Sequence, residues 1–271
     1  MNSFIKKFVN TIGFDIRRHR LPREANLNLD EQLGYELEAE ATECIHIVKD
    51  NTMLSKRRLV TLFQQIVYCE KHEILGSFVE CGVWKGGAMG MMALANLRQG
   101  RQRRHLHLFD AFQDICEPDA AFDGARALKE VSEFTGNDGH SKGKLQPVSG
   151  IYDRFGGPGT LEENQQLLEK TIGYPKEFIH YHVGWFQNTI PADHQGIGSI
   201  AVLRLDGDWY ASTKVCLEYL FEKVVRGGMV IIDDYGTYEG CRRAVDEFMK
   251  LKQIQAYLAP IDSDCRFFVK L

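Results

Sequence analysis

The stretch Arg204–Leu205–Asp206–Gly207–Asp208–Trp209–Tyr210, taken with Met229–Val230–Ile231–Ile232–Asp233–Asp234–Tyr235, decides the fold. Each closes a short apolar run of the kind that makes a strand buried on both faces, and each ends in carboxylates. In an open α/β sheet the carboxyl ends of neighbouring strands face one crevice. Asp206, Asp208, Asp233 and Asp234 are therefore expected to converge there. Carboxylates crowded together repel, so the cluster implies either raised pKa values or a hard divalent cation. The cation is the expectation. A helix-capping role is the plain alternative for Asp208 and Asp234 taken singly.

Outward from these two strings, strands are predicted at 76–82, 105–110 and 178–183, with 200–205 and 229–232 carrying the acids. Helical patterns over 88–97, 161–171, 212–224 and 240–250 separate them, and a turn is expected at Ile190–Pro191. Strands alternating with helices predict a mostly parallel sheet with right-handed crossovers. Two last runs, 254–258 and 265–271, read as a closing pair of which one is antiparallel. Residues 31–50 and 55–72 have helical spacing and form a cap or first layer, giving an N-terminal helical part, 1–74, ahead of a main domain, 75–271. Within that domain, 111–160 reads as a long irregular stretch, and loops of that length serve as lids or binding loops.

The chain of 271 residues has 33 basic and 37 acidic side chains, a net charge of −4. That balance argues against a protein whose work is gripping nucleic-acid phosphates or anionic membranes. Seven cysteines without a CxxC pair suit reduced thiols better than a disulfide frame or a zinc site. No run approaches the roughly 20 apolar residues of a membrane span. The N-terminus lacks the apolar core of a signal peptide, so a cytoplasmic location is expected. Phe4, Ile5, Phe8, Val9 and Ile12 share one helical face, expected to pack on the domain or on a second subunit in a homodimer. A membrane-surface helix is the alternative.

The first strand leads into Glu80–Cys81–Gly82–Val83–Trp84–Lys85–Gly86–Gly87. Glycines there let backbone approach a ligand, and the next helix offers its N-terminus. The dinucleotide pattern GxGxxG is broken by Trp84. Asp110, ending the second strand, is placed to accept hydrogen bonds from ribose hydroxyls. Glu80, ending the first, can meet an ammonium. That pair suits S-adenosylmethionine, which has a ribose and an α-amino group but no phosphates. His180 and His182 share a strand face and read as structural, and no GxSxG, HExxH or P-loop is present.

Taken together, Phe78–Val79–Glu80–Cys81–Gly82–Val83–Trp84–Lys85–Gly86–Gly87, Gly184–Trp185–Phe186–Gln187–Asn188–Thr189–Ile190–Pro191, Leu203–Arg204–Leu205–Asp206–Gly207–Asp208–Trp209–Tyr210 and Gly227–Gly228–Met229–Val230–Ile231–Ile232–Asp233–Asp234–Tyr235 resemble, in order, the motifs of the macrocin O-methyltransferase family. The resemblance implies a Rossmann-like class I methyltransferase fold, with a mostly parallel seven-stranded sheet and one antiparallel strand. It further implies S-adenosylmethionine and Mg²⁺ as cofactors and a sugar or glycoside hydroxyl as methyl acceptor. By resemblance, Asp206, Asp233 and Asp234 are metal ligands, Asp206 and Asp208 are catalytic, and Glu80, Gly82 and Asp110 contact the cofactor. The segment 111–160 and Asn188 depart from the family pattern. Two other readings stay open: an NAD(P)-dependent oxidoreductase on the same sheet, and a non-catalytic scaffold of a biosynthetic complex.

Overall fold

The computed structural model describes residues 27–135 and 141–271, so the apolar face of Phe4, Ile5, Phe8, Val9 and Ile12 lies outside the described residues. Seven strands form one sheet in the order β3-β2-β1-β4-β5-β7-β6. β1 (Ser77–Cys81), β2 (Leu106–Asp110), β3 (Ile179–Val183), β4 (Ile200–Leu205) and β5 (Val224–Ile232) run parallel. β7 (Arg266–Val269) returns antiparallel to β5, and β6 (Ala259–Pro260) pairs with β7. The mostly parallel sheet with one reversed strand is the architecture that the alternating pattern predicts. The run 254–258, predicted as a strand, is not one. Pairing is confined to 259–260, where Pro260 has no N–H to extend the ladder.

Helices α1 (Glu38–Val48), α2 (Lys56–Lys71), α3 (Gly87–Gln99), α4 (Gly124–Thr135), α5 (Leu161–Gln165), α6 (Phe186–Asp193), α7 (Tyr210–Leu220) and α8 (Glu239–Leu251) fill the intervals. Side chains alternate across a strand, and that alternation sorts the two cores. Phe78, Val202, Met229 and Ile231 meet Ala41, Ile45, Leu59, Phe63, Ile66, Met89 and Met92 on one face. Val79, Leu203, Val230 and Ile232 meet Leu217, Leu220, Val245 and Phe248 on the other. Fully burying an aliphatic or aromatic side chain is worth about 1.5–3 kcal/mol, so Ile45, Leu59, Phe63 and Ile66 make α1 and α2 an integral wall of the domain.

Two local devices set that wall. Ser55 caps α2 by accepting from the Arg58 N–H at 3.3 Å, which fixes Arg58 in the first turn. The Glu38 carboxylate accepts the N–H groups of Leu33 and Gly34 and pairs with Lys56 Nζ at 2.9 Å. Lys56 and the two N–H groups hold that carboxyl down at about 2.

Two sequence expectations need correction. Ile190–Pro191 is not a turn but lies inside α6, where buried Ile190 anchors the helix. Pro191 forfeits one helical hydrogen bond there. The segment 111–160 is more ordered than its composition suggests. It contains α4, antiparallel bridges Cys116–Pro147 and Asp119–Lys142, and a small core of Cys116, Ala127, Val131, Val148 and Ile151 closed over Trp209. All seven cysteines are free and buried. Among the described residues, no helix is long and apolar enough to cross a membrane.

Candidate active site

Strand order reverses between β1 and β4, so the crevice opens between their carboxyl ends. The two tips approach closely. A Cβ on Gly82 would stand 1.9 Å from the Asp206 carbonyl oxygen, and Gly82 has φ of +88°, so only glycine serves there. Three non-glycine residues just past strand tips also have left-handed backbone: Trp84 after β1, Phe112 after β2 and Asp208 after β4, with φ of 46°, 52° and 53°. Such conformations cost on the order of 1–3 kcal/mol each and cluster where function demands them.

Asp206, Asp208 and Asp234 each bring one carboxylate oxygen to within 4.8 Å of the others. Burial pushes the Asp208 carboxyl well above its ordinary range, and Asp206, Glu130, Asp233 and Asp123 add to the rise. Asp234 is raised in the same way, by burial first and then by Asp208 and Asp206. One Asp234 oxygen, Oδ2, is buried without a hydrogen-bond partner.

Asp233 faces the opposite way, as strand alternation requires of neighbours. Its two oxygens are taken by two guanidiniums, Arg204 Nη2 at 2.7 Å and Arg58 Nη1 at 2.5 Å. Arg204 is 2 % exposed, and its Nη1 also donates to Glu80 Oε1 at 2.7 Å and Asp206 Oδ2 at 2.8 Å. Glu80, Arg204 and Asp233 lie across three adjacent strands on the α1–α3 side of the sheet, with Glu80 in register with Arg204. Burial lifts the Glu80 carboxyl to about 8, against the pull of Arg204. Its second oxygen, Oε2, is buried and unpartnered.

Asp110 organises the turn after β1. Its Oδ2 accepts from Val83 N at 2.7 Å and Trp84 N at 3.1 Å, and its Oδ1 accepts from Phe112 N at 2.7 Å. Burial raises it to about 6 although these N–H groups oppose the rise. Trp84 Nε1 donates to the Gly157 carbonyl of the segment 111–160 at 3.1 Å, and Asn164 Nδ2, from α5, donates to the Trp84 carbonyl at 2.7 Å. The Tyr152 phenol, pushed well above its ordinary range by burial, also feels Asp208, Asp110, Asp206 and Asp234.

The structure thus gathers Asp206, Asp208 and Asp234, joins Glu80 to Asp206 and Asp233 through Arg204, and sets Gly82 and Asp110 in the adjoining turn. Sequence reasoning passed over Arg204, although a charge inside an apolar strand run was the available signal. Arg58 and Tyr152 carried none.

The sequence model of the Macrocin-O-methyltransferase (TylF) family matches residues 27–136 and 164–270. The chain belongs to that family. The unmatched interval, 137–163, covers the second half of the segment 111–160 and the start of α5. Demethyldecarbamoylnovobiocin O-methyltransferase of Streptomyces niveus is 31 % identical over 214 residues, which cover 79 % of this chain and 73 % of that protein. A tetracenomycin 4'-O-methyltransferase of Streptomyces olivaceus, named for a 2,3-dimethoxy-α-L-rhamnosyl acceptor, is 29 % identical over 78 % of this chain and 72 % of its own length. The solved structure of the O-methyltransferase NovP superposes with a TM-score of 0.65 at 30 % identity, covering 81 % of this chain and 82 % of that one. The chain is an S-adenosylmethionine-dependent O-methyltransferase of class I fold. Family membership closes the oxidoreductase reading.

The residues present fit both groups that the family implies. Glu80 Oε2 is an unpaired buried acceptor suited to an ammonium, and Asp110 Oδ1 carries only one N–H. The carboxylate triad is an all-oxygen donor set, with Asp234 Oδ2 still lacking a partner, as a hard cation requires.

Proposed function

We propose that this enzyme methylates a hydroxyl of a sugar or glycosylated acceptor with the help of Mg²⁺ at its carboxylate cluster. The observation that carries the reading is the gathering of Asp206, Asp208 and Asp234 within 4.8 Å beside the cofactor crevice, one oxygen of Asp234 being buried and unpaired. The rhamnosyl acceptor in the name of the Streptomyces olivaceus relative supports the sugar. Bound Mg²⁺ supplies Lewis acidity, easing ionisation of a hydroxyl that is a poor nucleophile at neutral pH.

The chain's own residues do the rest. Asp206 and Asp234 offer hard ligands from the tips of β4 and β5. Asp233, the third acid of the expected ligand set, would join them only by giving up an arginine. Asp208 is the proposed proton acceptor. Its carboxylate sits in the crevice beside the other two acids, within reach of a bound hydroxyl, as a general base must be. Glu80 holds the methionine ammonium, Asp110 the ribose, and Gly82 keeps the turn close enough for both. The lid, with Tyr152, excludes water, and holding two reactants in line supplies much of the acceleration.

The test is methyl transfer from S-adenosylmethionine to a panel of glycosides, before and after EDTA treatment. Activity should fall at least ~10²-fold on chelation and return with Mg²⁺. Undiminished transfer without divalent metal would sink the metal role. Transfer to simple phenols but to no glycoside would sink the sugar.

A further inference from the structure

Arg58 belongs to α2, yet it reaches the tip of β5 and the turn between β6 and β7. Its Nε and Nη2 form a fork on Asp262, at 2.7 and 3.1 Å, and Nη2 also lies 3.3 Å from Asp264 Oδ2. Asp262 is itself fixed, accepting the N–H groups of Asp264 at 2.8 Å and Cys265 at 2.9 Å. The remaining Nη1 holds Asp233, and the guanidinium is only 13 % exposed. A planar five-donor head serves this geometry as a lysine could not.

We infer that Arg58 is a positioning residue of the methyl-transfer site: it neutralises Asp233 and occupies one of its oxygens beside the Asp206–Asp208–Asp234 cluster. Arg204 takes the other Asp233 oxygen and, through Nη1, sets Glu80 and Asp206. The two arginines therefore decide how many negative charges face a cation in the crevice. They also tie the cation side to the ammonium side through one chain of contacts, Arg58–Asp233–Arg204–Glu80. The inference rests on the cation reading of the cluster.

Cation affinity at a carboxylate site is tuned by ligand charge and rigidity. Arg58→Met removes one positive charge and frees one Asp233 oxygen. Both changes favour a divalent ion. The expected result is therefore tighter Mn²⁺ binding, about tenfold by calorimetry or electron paramagnetic resonance of the purified enzyme, with turnover at saturating metal lowered about tenfold. S-adenosylhomocysteine affinity should change by less than about threefold. Arg58→Lys keeps the charge and loses the fork. It should bind Mn²⁺ within about twofold of wild type and still turn over more slowly, which keeps the idea testable if the methionine variant does not fold.

A purely structural arginine predicts weaker or unchanged Mn²⁺ binding in Arg58→Met, and that result overturns the inference while leaving the cation site standing. Wild-type turnover in Arg58→Lys overturns it too. Wild-type enzyme that binds no Mn²⁺ overturns the cation reading and this inference together.

Discussion

At the carboxyl edge of the sheet, Glu80, Asp206, Asp208, Asp233 and Asp234 crowd around the tips of β1, β4 and β5. At the outer edge, on β2, β3 and the residue leading into β2, His105, His107, His180 and His182 stand in a comparable file, set by the register of His107 with His180. Both are arrays of one ionisable type, and the protein treats them in opposite ways. Three of the carboxylates, Glu80, Asp206 and Asp233, are met by two guanidiniums, Arg58 and Arg204. The imidazoles pair with one another, His105 Nδ1 to His180 Nε2 at 2.9 Å and His107 Nδ1 to His182 Nε2 at 3.1 Å. Each such contact needs one bare and one protonated nitrogen, which neutral rings provide. Burial, with His180, His182 and His105 adding to it, pushes His107 down to about 3. Crowded carboxylates can only accept, so they need counter-charge and invite a cation; imidazoles can donate to and accept from one another.

The comparison can be broken most severely at the acids. Asp208→Asn and Asp234→Asn should each lower the methyl-transfer rate by about 10²–10⁴-fold, the usual range for loss of a positioned proton acceptor and a fair guide for a ligand. S-adenosylhomocysteine should still raise the melting temperature of both variants. Near-normal turnover in either would remove that acid from the chemistry.

The counter-charge comes next. Arg204→Met should destabilise the protein by about 3–5 kcal/mol in urea unfolding, since removing one partner of a buried ion network strands the others. Much of this loss should vanish in a variant that also carries Glu80→Gln, which removes one stranded charge.

The imidazoles should respond to acid. The unfolded chain takes up the His107 proton near pH 6.5, the folded chain only near 3. His107 therefore costs nothing above about pH 6.5, and stability is lost as pH falls from there toward 3, by about 1.4 kcal/mol per unit at most. Urea unfolding at pH 7.5 and pH 5 should show this slope, and His107→Phe should flatten it. An unchanged slope would mean that His107 takes no part. The smallest effect belongs to Asp193, which holds His182 Nδ1 at 2.8 Å from an exposed position. Asp193→Asn should cost no more than about 1 kcal/mol.

The same contrast explains what was legible in the sequence. The strands of the two acidic strings, their carboxylates, and the turn from Glu80 to Gly87 could be read because apolar runs and strand-end residues are local features. His180 and His182 could be placed on one face for the same reason. Their partners His105 and His107 could not, because strand pairing depends on a register between segments far apart in the chain. The segment 111–160 reads as irregular in the sequence because its core of Ala127, Val131, Val148 and Ile151 is assembled from pieces separated by turns.

The sequence by itself determined the α/β layering, the parallel sheet and which strands end in acids, since all three follow from periodicity and strand-end chemistry. Alternation alone sends Asp233 and Asp234 opposite ways, but a turn after the strand can redirect one, so the sequence left open whether both reach the crevice. Only the tertiary structure decided what each would meet. α2 packs on the Asp233 face, so Asp233 meets Arg58 from 175 residues away, while Asp234 meets Asp206 and Asp208 in the crevice. No local pattern encodes that difference, because the partners are chosen by packing of layers and not by spacing along the chain.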